Sequence, residues 1–198
     1  QAAIISVAPS AMTSDRDKWN RKYREAPFPT VASRIVQAFY HHAPVGRALD
    51  LACGNGRNAC FLAARGFDVD AVDISEEGLR RFVCRSPAIN RICQDMDAFR
   101  IHPLRYQLIV NTRFLMRRLF PFIQEGLVPG GVLLFETYLQ DKEDRPGRKF
   151  GRHHLLKDGE LRHAFPALQT IAYGEGASRH KDAPARKAFL VAVRTSTP

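Results

Sequence analysis

Residues 47–73, RALDLACGNGRNACFLAARGFDVDAVD, decide how the rest of the chain is read. An apolar run containing an acid (Leu49, Asp50, Leu51) leads into glycines at Gly54 and Gly56, then into a short apolar helical pattern that Gly66 closes. A second apolar run follows and ends on another acid, Asp73. Strand, glycine turn, helix and strand with an acidic tip make a nucleoside-binding unit. The tight turn exposes backbone N–H groups, and a carboxylate at the second tip can accept two hydrogen bonds from a ribose diol.

Gly54, Gly56 and Ala59 match the spacing G-x-G-x-x-G/A of dinucleotide sites. Asp50 argues against that ligand, because a carboxylate beside the turn would repel a pyrophosphate where screening is poor. S-adenosylmethionine carries a cationic amine and a sulfonium and no phosphate, so an acid at the first strand's tip attracts it.

Working outward, Asp15 to Glu25 is polar but places Trp19 and Tyr23 on one face of a short helix, either anchoring a terminal arm or forming a flap over a ligand. After Pro27 and Pro29, Thr30 is the expected cap of a helix with apolar positions Val31, Ile35, Val36 and Phe39, ending near His42. His41 and His42 suit that helix's C-terminal end. Beyond the opening unit, Ser75 caps a helix with Glu76 and Glu77 in its first turn and Leu79, Phe82 and Val83 as its buried stripe. A third strand over 88–93 leads to the polar tip Gln94 to Asp97, and 106–111 reads as a parallel strand buried on both faces. A helix over 114–127 containing Pro121, the turn VPGG and a fifth strand at Val132 to Tyr138 come next. Gln140 to Arg152 is expected to be a mobile loop at the substrate edge. A helix over 158–165 precedes strands over 168–175 and 187–194, joined by a hairpin loop. The alternation predicts an α/β fold with parallel central strands.

The 198 residues and 45% hydrophobic content suit one domain. The expected division is a flexible stretch over 1–14 and a single domain over 15–198. No apolar run approaches the roughly 20 residues that span a bilayer, and residues 1–11 lack a basic start, so the cytoplasm is the expected location. Cys53, Cys60, Cys84 and Cys93 show no CxxC pair and no histidines at metal spacing. They read as small apolar residues of a reduced compartment, without a disulfide framework or metal. The formal net charge of +10 is spread along the chain, as on a solvated basic surface, with nucleic acid as a less favoured partner.

D-x-A-C-G-x-G-R-N at Asp50 to Asn58 resembles motif I of the class I S-adenosylmethionine-dependent methyltransferases, and is especially similar to their tellurite-resistance (TehB-like) branch. The resemblance runs from Asp15 nearly to the end. DKWNRKY is similar to the branch's N-terminal arm, with Lys22 in place of the usual Arg, and LVPGGVLLFETY to its turn and strand after motif IV. It implies a doubly wound, Rossmann-like seven-stranded sheet of order 3-2-1-4-5-7-6 with strand 7 antiparallel, and residues 15–43 covering the cofactor site. Asp50 would hold the methionine amine, directly or through water, with the backbone of Gly54, Asn55 and Gly56 packed on the ligand. The family's first glycine is Ala52 here. Asp73 would take both ribose hydroxyls, Ile74 would pack on the adenine, Asp95 would accept from its amino group and Met96 would supply a backbone donor. Asn111 would face the methionine end.

Trp19, Tyr23, Arg24, Arg113, Phe114 and Arg117 are candidates to line an electropositive pocket for a small anionic or soft nucleophile, of the tellurite, selenite or thiol type. Thiolates and reduced selenium or tellurium oxyanions need little or no general base, so no catalytic residue is demanded; His153 and His154 are candidates as a base for a hydroxyl or amine acceptor. NTRF follows the fourth strand where an NPPY-like tetrapeptide would favour amino-group methylation. Alternatives are an RNA methyltransferase using basic segments at Arg145 to Arg152 and Arg179 to Arg186, a non-catalytic S-adenosylmethionine-binding protein, and a dinucleotide-dependent oxidoreductase.

Overall fold

The computed structural model describes residues 11–140, 154–177 and 186–195, with side chains from residue 15 onward. Helix α1 (Ala11–Glu25) begins before the expected Asp15, and α2 (Arg34–Phe39) follows it. Strand β1 (Arg47–Leu51), helix α3 (Arg57–Ala63) and strand β2 (Asp68–Asp73) form the unit expected from residues 47–73. Then come α4 (Glu76–Arg80), β3 (Ile89–Cys93), β4 (Tyr106–Thr112), α5 (Phe120–Gly126) and β5 (Leu127–Tyr138). The chain closes with α6 (Glu160–His163), β6 (Leu168–Ala177) and β7 (Arg186–Arg194).

The strands form one seven-stranded sheet of order β3-β2-β1-β4-β5-β7-β6, and β7 runs antiparallel to both neighbours. This is the topology the resemblance implied. The central strands are buried on both faces because helices cover both sides, which is why their sequences read as continuous apolar runs. One apolar layer gathers Leu51, Ile109, Leu133 and Phe135 with α5; the other gathers Ala48, Leu62, Val110 and Leu134 with α2 and α3. Leu51 pairs with both Val72 and Asn111, so the carboxyl ends of β1, β2 and β4 lie level and their following loops share one edge.

Several elements depart from expectation. Thr30 caps no helix: α2 starts at Arg34 with Ser33 before it, and Val31 is 68% exposed rather than on a buried face. The backbone of 29–33 is bonded elsewhere. Asn55 Nδ2 donates to Pro29 O at 3.0 Å, Arg57 donates to Val31 O at 3.3 Å, and Ser33 N donates to Asn58 Oδ1 at 2.9 Å. Pro29 O, Val31 O and Ser33 N are therefore satisfied by side chains of the glycine turn and the start of α3, while Ser33 O accepts from Gln37 N as α2 begins. Helix α4 ends at Arg80, so of the expected stripe Leu79 is buried, Phe82 is half-buried and Val83 is exposed. The helix expected over 114–127 is an irregular stretch, a 3₁₀ turn (Arg117–Leu119) and α5, with Pro121 in the first helical turn, where its missing N–H costs nothing. VPGG lies within β5 as an insertion between the pairs Leu127–Tyr106 and Val132–Leu108.

The cysteines need a correction. Cys60 and Cys84 form a disulfide with Cα atoms 5.9 Å apart, while Cys53 (buried) and Cys93 (exposed) are free. A separation of 24 residues carries no distance by itself. Only the return of the chain through β2 and α4 sets the two side by side. The cysteines therefore give no support to a reduced compartment. Among the described residues no helix is long and apolar enough to cross a membrane.

Candidate cofactor and substrate site

The turn after β1 alternates into the left-handed region, with φ of 52° at Ala52, 58° at Gly54 and 70° at Gly56. Ala52 holds this conformation at a cost that glycine would not incur, a strain usually found at ligand sites. The turn is fastened to β2 by Asp73, whose two carboxylate oxygens accept from Gly54 N and Ser75 N, each at 2.8 Å. Ser75 in turn caps α4 as expected, its hydroxyl accepting from Gly78 N at 3.0 Å. Burial raises the Asp73 carboxyl above its usual range, against the pull of those backbone donors.

Asp50 has a second task that its strand position does not announce. Gly56 precedes α3 without a side chain to cap it, and Asp50 Oδ2 accepts from Ala59 N at 3.1 Å in the first helical turn. The carboxylate thus does the work of an N-cap residue from the neighbouring strand. Asp50 is 0% exposed, and its Oδ1 has no hydrogen-bond partner. Burial pushes its pKa up to about 7, opposed by the charge of Arg57 and the bond from Ala59. A carboxyl whose folded pKa is raised stabilises the fold below its unfolded value and loses that contribution as pH climbs through the folded value. Between about pH 4 and about pH 7, Asp50→Asn is therefore expected to gain thermal stability relative to the cofactor-free wild type, the difference levelling off above that range. Melting curves across that range check it; a constant difference would contradict the raised value.

A cavity of about 420 Å³ opens above these strand ends. Its acidic end is formed by Asp73, Asp95 and Asp97, with Ile74 and Met96. Trp19, Tyr23, Phe28 and Pro29 form an aromatic wall. Ala52, Cys53, Asn55, Arg57 and Asn58 line the cavity from the first turn, and Thr112, Arg113, Phe114, Met116 and Tyr138 from the ends of β4 and β5, on the other side of β1 from β2 and β3. The wall is held by α1: Asn20 Oδ1 accepts from Ser75 Oγ at 2.8 Å and Glu77 N at 3.2 Å, and Tyr23 stacks on Phe28 at 4.0 Å. Tyr23 is buried, so of the two readings of the arm this is a docked one, and burial first and Asp73 second hold its phenol protonated.

The structure brings Ala52, Asn55, Asp73, Ile74, Asp95 and Met96 of the expected cofactor residues to the cavity wall. Asp50, Gly54, Gly56 and Asn111 support that wall from behind; Asn111 Nδ2 donates to Phe114 O at 2.8 Å and so sets the Phe114 backbone. Of the expected substrate residues, Trp19, Tyr23, Arg113 and Phe114 line the cavity. Arg24 and Arg117 are not among the lining residues. Arg24 lies 3.7 Å from Glu77 on α4, and Arg117 reaches Glu160 and donates to Leu155 O at 2.9 Å, fastening the segment before α6. Arg118 plays a related part for the acidic end, donating to Met96 O at 2.6 Å and pairing with Asp97. His153 lies outside the described residues, and His154 is exposed and away from the cavity wall. The loop expected over 140–152 falls almost wholly outside the described residues, as does most of the basic segment 179–186.

Arg57, Asn58, Thr112 and Tyr138 are wall residues that the sequence reading passed over. Arg57 and Asn58 directly follow Gly56, and Thr112 and Tyr138 end strands β4 and β5, so position at a strand tip was the available signal. Arg57 carries the distinctive electrostatics: burial lowers its pKa, and the nearby positive charge of Arg113 lowers it further. Among the described residues neither guanidinium has an ion-pair partner. Arg113 is also held with φ of 61°, its N donating to Glu136 O at 2.7 Å. Two like charges thus line one cavity, one of them on a strained backbone, and Asp50 and Glu136 offset part of the field at Arg57.

The sequence matches the family described as "Tellurite resistance protein TehB" over residues 12–186. It is similar to YqeM of Bacillus subtilis, 32% identical over 105 residues that cover 47% of this chain and 42% of that protein. It is also similar to Hemagglutinin 1 of Eikenella corrodens, 30% identical over 162 residues, covering 74% of this chain and 51% of that one. The chain thus spans about half the length of the curated relatives it matches. Among solved structures, TehB from Haemophilus influenzae shares the fold with a TM-score of 0.66 at 21% identity, over 91% of this chain and 67% of that one.

Proposed function

The chain belongs to the TehB family of tellurite resistance proteins, and from that premise we propose that it is an S-adenosylmethionine-dependent methyltransferase acting on a small anionic or soft nucleophile, of the tellurite, selenite or thiol type. Residues 15–198 would serve as one catalytic domain, with 15–43 as its cover. The observation that carries the reading is one cavity over the strand ends lined by both signs of charge, with Asp73 and Asp95 following β2 and β3 on one side of β1, Arg113 following β4 on the other, and Arg57 from the turn after β1.

The residues fit the cofactor. Ala52 and Asn55 of the first turn line the cavity, and the unpartnered Oδ1 of the buried Asp50 retains an acceptor for the ligand's amine, reached through water or through the field of its charge. Asp73 would accept from the ribose hydroxyls, Ile74 would pack on the adenine, and Asp95 and the Met96 backbone would hold its polar edge. When bound, the cofactor supplies a methyl group already activated by its sulfonium. The chain's own residues orient and exclude water: Arg57 and Arg113 hold the anion, and Trp19, Tyr23 and Phe28 close one side. A thiolate or a reduced oxyanion has a free electron pair and needs no general base, and among the described residues the cavity is lined by no histidine.

Calorimetry with S-adenosylhomocysteine, followed by transfer of a labelled methyl group to selenite, tellurite, small thiols and bulk RNA, tests the reading. Binding with transfer to a small acceptor supports it, and failure of S-adenosylhomocysteine to bind overturns it. Arg57→Gln is expected to raise KM for an anionic acceptor about tenfold or more, the size of a lost hydrogen bond to a charged group, with kcat changed less. An unchanged KM would remove Arg57 from the acceptor site.

A further inference from the structure

We propose that the Cys60–Cys84 pair is a thiol–disulfide control on cofactor binding, acting through a strap of residues 82–84 that lies against the glycine turn. This rests on the cofactor reading above. Three consecutive residues make the strap. The Phe82 ring occupies the space where a Cβ on Gly56 would meet it at 2.1 Å, Val83 N donates to Asn55 O at 3.1 Å, and Cys84 is bonded to Cys60. Cys60 stands in α3, its own N donating to Gly56 O at 2.8 Å, so the disulfide ties the strap to the helix that springs from the turn. Asn55 lines the cavity, and Asp73, which fastens the same turn, lies inside the loop that the disulfide closes.

The strap has little else to hold it. Residues after α4 form no regular element until β3; beyond these contacts the stretch is held at its ends, by Arg81 N to Glu77 O, by Arg81 donating to Arg24 O at 3.3 Å and by Val69 N to Ala88 O, with Arg91 over the Phe82 ring. Both bridged cysteines are half-buried, not sealed in the core. A dithiol reductant can open the bridge. Its thiolate attacks one sulfur to give a mixed disulfide, and its second thiol then displaces the cysteine. Two electrons and two protons pass to the Cys60–Cys84 pair, and the reductant leaves as a cyclic disulfide. With the bridge open, the strap retains one backbone hydrogen bond and the packing of Phe82, and cofactor binding must then order a looser turn.

The test uses the full chain, oxidised or treated with dithiothreitol. Alkylation in denaturant should find Cys60 and Cys84 blocked before treatment and free after it. S-adenosylhomocysteine should bind about tenfold more weakly to the reduced chain, within the usual range for coupling between two sites. Cys60→Ser/Cys84→Ser should bind weakly with or without reductant, and Cys93→Ser should keep the full response. Hydrogen exchange at the amides of 54–57 should speed up on reduction, a readout that needs neither ligand nor a folded double variant. Equal affinity in the two states, equal exchange, or Cys60 and Cys84 found free before treatment would each overturn the proposal. If S-adenosylhomocysteine binds neither state, the cofactor reading fails, and the exchange rates still decide whether the bridge orders the turn.

Discussion

Asp73→Ala is expected to weaken S-adenosylhomocysteine binding by about a hundredfold or more, each hydrogen bond to a charged group contributing about 1.5–3 kcal/mol. The substitution removes the expected acceptor for the ribose and undoes the wall that would receive it. Gly54 N and Ser75 N both donate to the Asp73 carboxylate in a buried setting, so alanine leaves two backbone donors without it. An unsatisfied buried donor costs about 1–3 kcal/mol, so a fall in melting temperature should accompany the lost affinity. Asp73→Asn separates the two effects. Its amide keeps one oxygen for one donor but turns an N–H₂ toward the other, so it should recover part of the stability while binding stays poor. Calorimetry and melting curves on both variants check this. Wild-type affinity in Asp73→Asn would show that the carboxylate serves the turn alone.

The second large effect is expected at Gly54→Ala. The residue sits at φ of 58°, and a Cβ there would lie 2.0 Å from Tyr23 Oη. The left-handed backbone costs a non-glycine residue about 1–2 kcal/mol. Relief of the overlap requires Tyr23 to leave its stack on Phe28, a contact worth about 0.5–1.5 kcal/mol. The variant should melt several degrees lower and bind S-adenosylhomocysteine at least about tenfold more weakly, since about 1.4 kcal/mol is a factor of ten. Adding Tyr23→Phe deletes the colliding oxygen, leaving the ring's nearest atom at 3.1 Å. That double variant should regain the steric part of the loss and keep the backbone part. If Tyr23→Phe restores nothing, α1 does not press on the turn as the structure has it.

These two residues mark how far the sequence could be read. Gly54 and Asp73 stand out in 47–73 because a turn and a strand tip are encoded within a few neighbouring residues. What they bond to each other was not visible, since 19 positions separate them and only parallel pairing of β1 and β2 brings them together. Asp50 shows the same division. Its acidity at a strand end pointed to a cationic ligand, while its bond to Ala59 N, which caps α3, depends on how the helix folds back over the strand. The arginines were harder still. Arg24, Arg57, Arg113, Arg117 and Arg118 look alike in sequence, yet two face the cavity and three make their contacts with Glu77, Glu160 and Asp97.

The sequence by itself determined the alternation of strands and helices, the glycine turn and the acids at the tips of β1 and β2, and through its family resemblance the sheet order. Those features rest on local periodicity, turn chemistry and a contiguous motif. The tertiary structure alone decided that Cys60 meets Cys84, that the backbone at Pro29, Val31 and Ser33 bonds to Asn55, Arg57 and Asn58 so that α2 starts only after Ser33, and that Arg57 rather than Arg117 joins Arg113 at the cavity. Each of these joins groups from separate elements. Their distance is set by sheet register and by which backbone and charged groups were already satisfied, information that no short window of the chain contains.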